Sequence, residues 1–172
     1  MVTAIIIVFL IGCACFFTGI FPIVAFDNID EKDIPTEYSN ESLQKDSTIN
    51  FLENIEFNKV ILLMDFGDYD EYCRLPQAIP HRKVLVCTDA ELLNTLKQSS
   101  WHFWGGDICT VSSKILFCND NHLVQAYHIL LSENQVCIQS CKTGLIEAVN
   151  KDIIQSVFSG FKPHHGLFLY IE

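Results

Sequence analysis

The chain lacks charge where it begins. Met1 to Phe26 hold no Asp, Glu, Lys or Arg, so all 11 basic and 21 acidic residues of the 172-residue sequence fall after that point. Basic residues are scarce throughout, and the formal net charge is −10. A surface this acidic has no footprint for a phosphate backbone, which excludes nucleic acid as a partner. It also disfavours anionic membrane surfaces while helping solubility. There is no internal repeat, no low-complexity tract and no glycine-rich phosphate loop. The letters Asp65-Phe66-Gly67 occur without an H-R-D segment and in a chain too short for two kinase lobes, so they read as a strand ending in a glycine turn. No Cys-x-x-Cys pair exists, which removes the usual redox motif.

What the N-terminus has instead is a long apolar run, "MVTAIIIVFLIGCACFFTGIFPIVA". About 20 apolar residues cross the hydrocarbon core of a bilayer, and nothing polar here marks an outward face for a soluble helix. Residues 1–26 are therefore expected to form a single transmembrane anchor. The competing reading is a cleaved signal peptide, although its basic n-region is missing and Ile23-Val24-Ala25 is a poor cleavage site. The lipobox-like Leu10–Cys13 lacks the same basic flank.

Orientation is not set by flanking positive charge, since Lys32 sits among Asp27, Asp30, Glu31 and Asp33. Cysteine usage points to an oxidising, lumenal or extracellular compartment. Cys73, Cys87, Cys109, Cys118, Cys137 and Cys141 make an even count in a short tethered domain and read as a disulfide framework. Six cysteines allow 15 pairings. A bridge directly between Cys137 and Cys141 would close a very tight loop, so each is expected to reach a distant partner. Asn40-Glu41-Ser42 is a glycosylation sequon, placing Asn40 as a candidate acceptor.

Residues 27–58 are acidic and polar, and read as a stalk with a short helix near Ile49–Phe57. Residues 59–172 read as a small disulfide-stabilised α+β ectodomain. "KVILLMDFG", "RKVLVC", "KILFC", "NQVCIQSC" and the closing "GLFLYIE" are expected strands. "TDAELLNTLKQ" is an expected helix, capped by Thr88 or Asp89. The apolar positions of "NHLVQAYHILL" favour a helix, and "LIEAVNKDIIQSVF" has helical spacing from Leu145 to Phe158, so that Gly144 opens a helix.

Chemistry-bearing constellations are thin. Cys118-x3-His122 with Cys137-x3-Cys141 could be drawn as a zinc site, but neither spacing is the tight one and all six cysteines can pair without metal. His164-His165 follow Pro163 and read as a solvated turn. Ser112 with His102 or His128 would make a nucleophile–base pair, yet no elbow motif frames it. No catalytic residue, metal or cofactor is assigned. Trp101, Phe103 and Trp104 beside Gly105-Gly106 have two readings: a tightly packed core corner, or an exposed aromatic anchor for a protein partner.

In order along the chain, Cys87-Thr88-Asp89, then Cys109 and Cys118, then Cys141-Lys142-Thr143-Gly144-Leu145-Ile146 stand behind the apolar N-terminus. This pattern resembles the per os infectivity factor three family, envelope proteins of baculoviruses, nudiviruses and related large arthropod DNA viruses. The resemblance covers the N-terminal anchor and roughly residues 84–147. Where the family has further cysteines after the Thr-Asp pair, this chain has leucines such as Leu92 and Leu96. The resemblance implies a non-enzymatic virion-envelope glycoprotein that works with other viral entry proteins at the host cell surface during oral infection. Two alternatives from other classes are a secreted or lumenal disulfide-rich binding protein, and a small hydrolase with a cleaved signal peptide.

Overall fold

The run Lys59–Leu63 is apolar at consecutive positions because it lies inside a sheet covered on both faces. In the computed structural model of the chain it forms β3, with Val60 and Leu62 buried on one face and Ile61 on the other. The structure describes residues 2–18, 23–26, 47–65, 75–103, 112–140 and 144–172. Among them run α1 (Val2–Thr18), β1 (Ile23–Phe26), β2 (Thr48–Ile49), β3 (Lys59–Leu63), β4 (Val84–Cys87), α2 (Ala90–Lys97) and β5 (Trp101–Phe103). They are followed by β6 (Lys114–Asn119), β7 (His122–Leu131), β8 (Val136–Ser140), β9 (Gly144–Ala148), α3 (Lys151–Ser159), β10 (Lys162–Pro163) and β11 (Phe168–Ile171).

The fold is α+β, as expected from the pattern of runs. A nine-stranded antiparallel sheet has the order β10-β4-β3-β6-β7-β8-β9-β5-β2, and β1 pairs with β11 in a separate two-stranded parallel sheet. One face of the large sheet buries Val60, Leu62, Leu85, Phe117, Tyr127 and Ile146 in a core shared with α2 and α3. Leu93 and Leu96 of α2, and Ile154, Val157 and Phe158 of α3, fill it from the helix side. Phe51 bridges two of its aromatic rings, meeting Trp101 at 5.4 Å and Tyr127 at 5.6 Å in edge-on geometry. The other face buries Ile61, Val84, Leu116 and Cys118 beneath Leu169 and Ile171 of β11, with Val24 of β1 packed at the margin.

Local chemistry explains the element ends. Asp89 caps α2, its carboxylate accepting from the backbone N–H of Glu91 (2.9 Å) and Leu92 (3.2 Å). The β6–β7 hairpin turns through Asp120 at φ 56°, a conformation that Asp tolerates. Asn58 holds that turn from both sides: its side-chain amide donates to Asp120 Oδ1 at 2.9 Å, and its Oδ1 accepts from the Asp120 backbone N–H at 2.7 Å. Gly144, at φ 68°, opens β9 where a side chain would be strained.

Four expectations are corrected. "NHLVQAYHILL" is strand β7, not a helix, because its pairing with β6 and β8 leaves Gln125, Tyr127, Ile129 and Leu131 buried with period two. Gly144 opens strand β9, and the helix α3 begins only after Asn150, whose side chain accepts from the Ile153 backbone N–H at 3.3 Å. No helix forms over Ile49–Phe57. Thr48–Ile49 pairs with β5 instead, and Phe51, Leu52 and Ile55, read as part of a stalk, are core residues. Finally, the continuous anchor expected over residues 1–26 does not form: α1 ends at Thr18, and Ile23–Phe26 is a strand paired with β11. Among the described residues, no helix is long and apolar enough to cross a membrane.

The helix layer offers a direct check of this core. Replacing Leu96, fully buried under α2, by Ala should lower unfolding stability by about 2–5 kcal/mol. Asp89→Ala should cost about 0.5–2 kcal/mol through the lost cap. Urea unfolding reads both, as a shifted midpoint at unchanged slope.

Candidate membrane-facing surface and cysteine framework

Helix α1 is apolar around its whole circumference. Ile5, Ile6, Ile7, Val8, Phe9, Leu10 and Ile11 are between 52% and 70% exposed, so no part of the domain covers them. A helix without a polar face cannot lie half in water like an amphipathic one; it needs an apolar surrounding on every side. Immediately after it, β1 alternates: Val24 is directed to the core, while Ile23 and Ala25 stand opposite Phe168 and Tyr170 on the outward side. One hydrogen bond extends the β1–β11 pairing, and another ties the end of β11 to the start of β7. The Ile23 backbone N–H donates to the Leu167 carbonyl (2.7 Å), and the Leu123 N–H donates to the Glu172 carbonyl (2.7 Å).

Of the six cysteines in the expected framework, Cys87, Cys118 and Cys137 are described, and all three are buried. Cys73, Cys109 and Cys141 lie outside the described residues, as do Asn40 and Trp104. No disulfide joins any of the described cysteines, so the expected staple is not present among them. Their positions give the reason. Cys87 on β4 and Cys118 on β6 are separated by β3 and face opposite cores. Two strand spacings come to roughly 9–10 Å, beyond the reach of a bridge. Cys137 on β8 lies opposite Leu130, whereas Cys118 lies opposite Leu123, so these two are separated both across and along the sheet. Cys87 and Cys137 are four strands apart.

Both thiols for which a shift is resolved are poor nucleophiles. Burial pushes Cys118 up to about 11 from 9.0, only partly opposed by the Lys59 ammonium. Burial also raises Cys87; a backbone hydrogen bond at Asp89 and the Lys162 charge pull the other way, while the Asp89 carboxylate adds to the rise. Neither is poised as a thiolate ligand or redox centre at neutral pH. Of the zinc set, Cys118, His122 and Cys137 are not brought together: Cys118 faces the second core while His122 sits 70% exposed at the hairpin end, 3.2 Å from the Glu172 carboxylate, and Cys137 is two strands from Cys118. Among the described residues, no three His, Cys, Asp or Glu side chains gather in a way that could hold a metal.

The aromatic anchor reading is corrected for two of its three residues. Trp101 and Phe103 are core residues, 0% and 3% exposed, and the Trp101 indole N–H donates to Ser99 Oγ at 2.9 Å. The core-corner reading holds for both. The nucleophile–base candidates do not converge on a built site either. His102 lies between Glu147 of β9 and Thr48 of β2, and His128 lies opposite Lys114 with its Nδ1 buried and without a hydrogen-bond partner. A base that orients nothing and is oriented by nothing at that nitrogen lacks the third member such pairs use.

The described residues include two surface grooves. One, of about 360 Å³, runs between α2 and α3 beside the exposed Val149 and Ile153; its walls include Thr95, Gln98, Ser99 and Asn150 and no titratable group. The other, of about 280 Å³, lies beside the start of α2 and contains Lys97, whose ammonium sits 5.7 Å from the centre of the Phe57 ring. Neither groups an acid with a base. No family model, no curated protein and no solved structure matches the chain.

The buried Cys118 thiol makes stability pH-dependent in the reduced protein. Below pH 9.0 the thiol is protonated in both states; between 9.0 and about 11 only the unfolded chain ionises, so stability should fall as pH rises and level off above that. Comparing urea midpoints of the parent and Cys118→Ala across pH 8 to 11 isolates this contribution: the fall should be shallower in the variant, which keeps the part due to Cys87.

Proposed function

We propose that this protein is a membrane-anchored, non-enzymatic interaction protein whose folded domain lies on the oxidising side of a membrane. The observation that carries the reading is the fully apolar, exposed surface of α1 joined to a folded domain. Its 17 residues rise about 26 Å, a little short of the ~30 Å hydrocarbon core, so α1 enters the lipid as an apolar anchor shorter than a full crossing. The two grooves among the described residues pair no acid with a base, which supports an interaction role over catalysis. The resemblance of the cysteine segments to the per os infectivity factor three family extends the proposal to a glycosylated virion-envelope component. It would work with other envelope entry proteins at the host cell surface in oral infection, with Asn40 as the glycosylation candidate and no cofactor.

In an oxidising compartment the six cysteines form the domain's staples. Since Cys87, Cys118 and Cys137 are mutually out of reach, each bridge joins one of them to one of Cys73, Cys109 and Cys141. That leaves six of the 15 pairings, and the two that join Cys137 directly to Cys141 fall away because their loop is too tight, so four remain. Each bridge adds about 2–4 kcal/mol, chiefly by restricting the unfolded chain.

Two measurements test this. Carbonate extraction and N-terminal sequencing of the full chain expressed through a secretory route should find it in the membrane pellet with Met1–Ala25 retained. A soluble, trimmed product would sink the anchor and favour the secreted binding protein. Non-reducing peptide mapping should return three bridges, all linking the two groups of cysteines. Six free thiols in the native protein would place the domain on the reducing side.

A further inference from the structure

We infer that the outward face of the β1–β11 pair is a second membrane contact, resting at the boundary between headgroups and acyl chains beside α1. This deepens the anchor reading of α1 and rests on it. The face presents Ile23 (51% exposed), Phe168 (64%), Tyr170 (48%) and the adjoining Leu167 (39%), four large apolar or amphipathic side chains on one side of a small sheet. They are contiguous by register: Ile23 lies directly opposite Phe168, and Ala25 directly opposite Tyr170. The inward positions of the same strands, Val24, Leu169 and Ile171, pack on the second core, so the alternation divides this sheet into a buried face and an apolar exposed one. A solvated sheet face ordinarily carries polar side chains at such positions.

Lipid is the occupant because of where this face sits in the chain. Thr18 ends α1 and Ile23 begins β1, so five residue steps connect them. Fully extended, five steps span at most about 18 Å, so the face cannot stand far from the lipid that takes up α1. Its composition also suits an interface: Tyr is an amphipathic ring of the kind that collects at headgroup level, and Phe and Ile supply apolar surface beside it. No Asp, Glu, Lys or Arg stands among Ile23, Ala25, Leu167, Phe168 and Tyr170. The contact is therefore apolar and suits zwitterionic lipid, whereas the chain's net charge of −10 would oppose an anionic surface. With β1 clamped onto the domain, the folded body is seated at the membrane by two elements instead of hanging from a long tether.

Two full-length variants reconstituted in phosphatidylcholine bilayers separate this inference from the anchor it rests on. Phe168→Trp adds a fluorophore to the sheet face, and Phe9→Trp adds one to the middle of α1; both side chains are exposed, so folding is not at stake. The emission of each is taken as the difference from the parent chain, which supplies the Trp101 and Trp104 background. Phosphatidylcholine brominated near the glycerol end should remove most of the emission added at position 168, and lipid brominated deep in the chains should remove most of that added at position 9. If position 9 is quenched and position 168 keeps its water-exposed emission, the sheet face does not meet lipid and the inference fails while the anchor stands. If neither is quenched, both fail.

Discussion

The structure depends on a central strand that has no solvent side. Ile115, Leu116, Phe117 and Cys118 of β6 are all at most 1% exposed, with alternate side chains going to opposite cores. A strand buried on both faces must be covered twice. Helices α2 and α3 cover one side, and the β1–β11 pair covers part of the other. The register of β6 with β3 and β7 therefore sets where both covering layers lie, since a slip of one residue would exchange the two faces.

That double covering links fold to the proposed role. The second core recruits the end of the apolar N-terminal run, so the strand that follows α1 is part of the folded domain. The domain and the exposed apolar helix are thus joined closely. The same burial accounts for the cysteines: Cys87, Cys118 and Cys137 are set in separate strands as small core residues, with the two resolved thiols made weakly acidic by desolvation. Their distance from one another, and not their number, limits which bridges an oxidising compartment could make.

Much of this was legible along the chain. The short apolar runs at 59–63, 84–87 and 114–119 formed strands, and the Asp89 cap opened the helix that Leu93 and Leu96 bury. Other segments carried ambiguous patterns. The apolar positions at 123, 124, 127, 130 and 131 satisfy a helical period, but β7 obeys period two because the Asp120–Asn121 turn folds it back on β6. Phe51, Leu52 and Ile55 stand in a polar stretch, and only the packing of Phe51 against Trp101 and Tyr127 reveals them as core. Trp101 and Phe103 could have been anchors or core by composition alone; pairing of β5 with β9 and β2 buried them.

The sequence alone determined the uncharged N-terminal helix, the acidic balance, the α+β class and the number of cysteines available, because these follow from local composition and spacing. Tertiary structure decided where the N-terminal helix stops, which faces Cys87 and Cys118 occupy and that Trp101 and Phe103 are hidden. Those outcomes depend on pairing between residues far apart in the chain, such as Ile23 with Phe168, and a local pattern carries no information about a partner about 145 residues away.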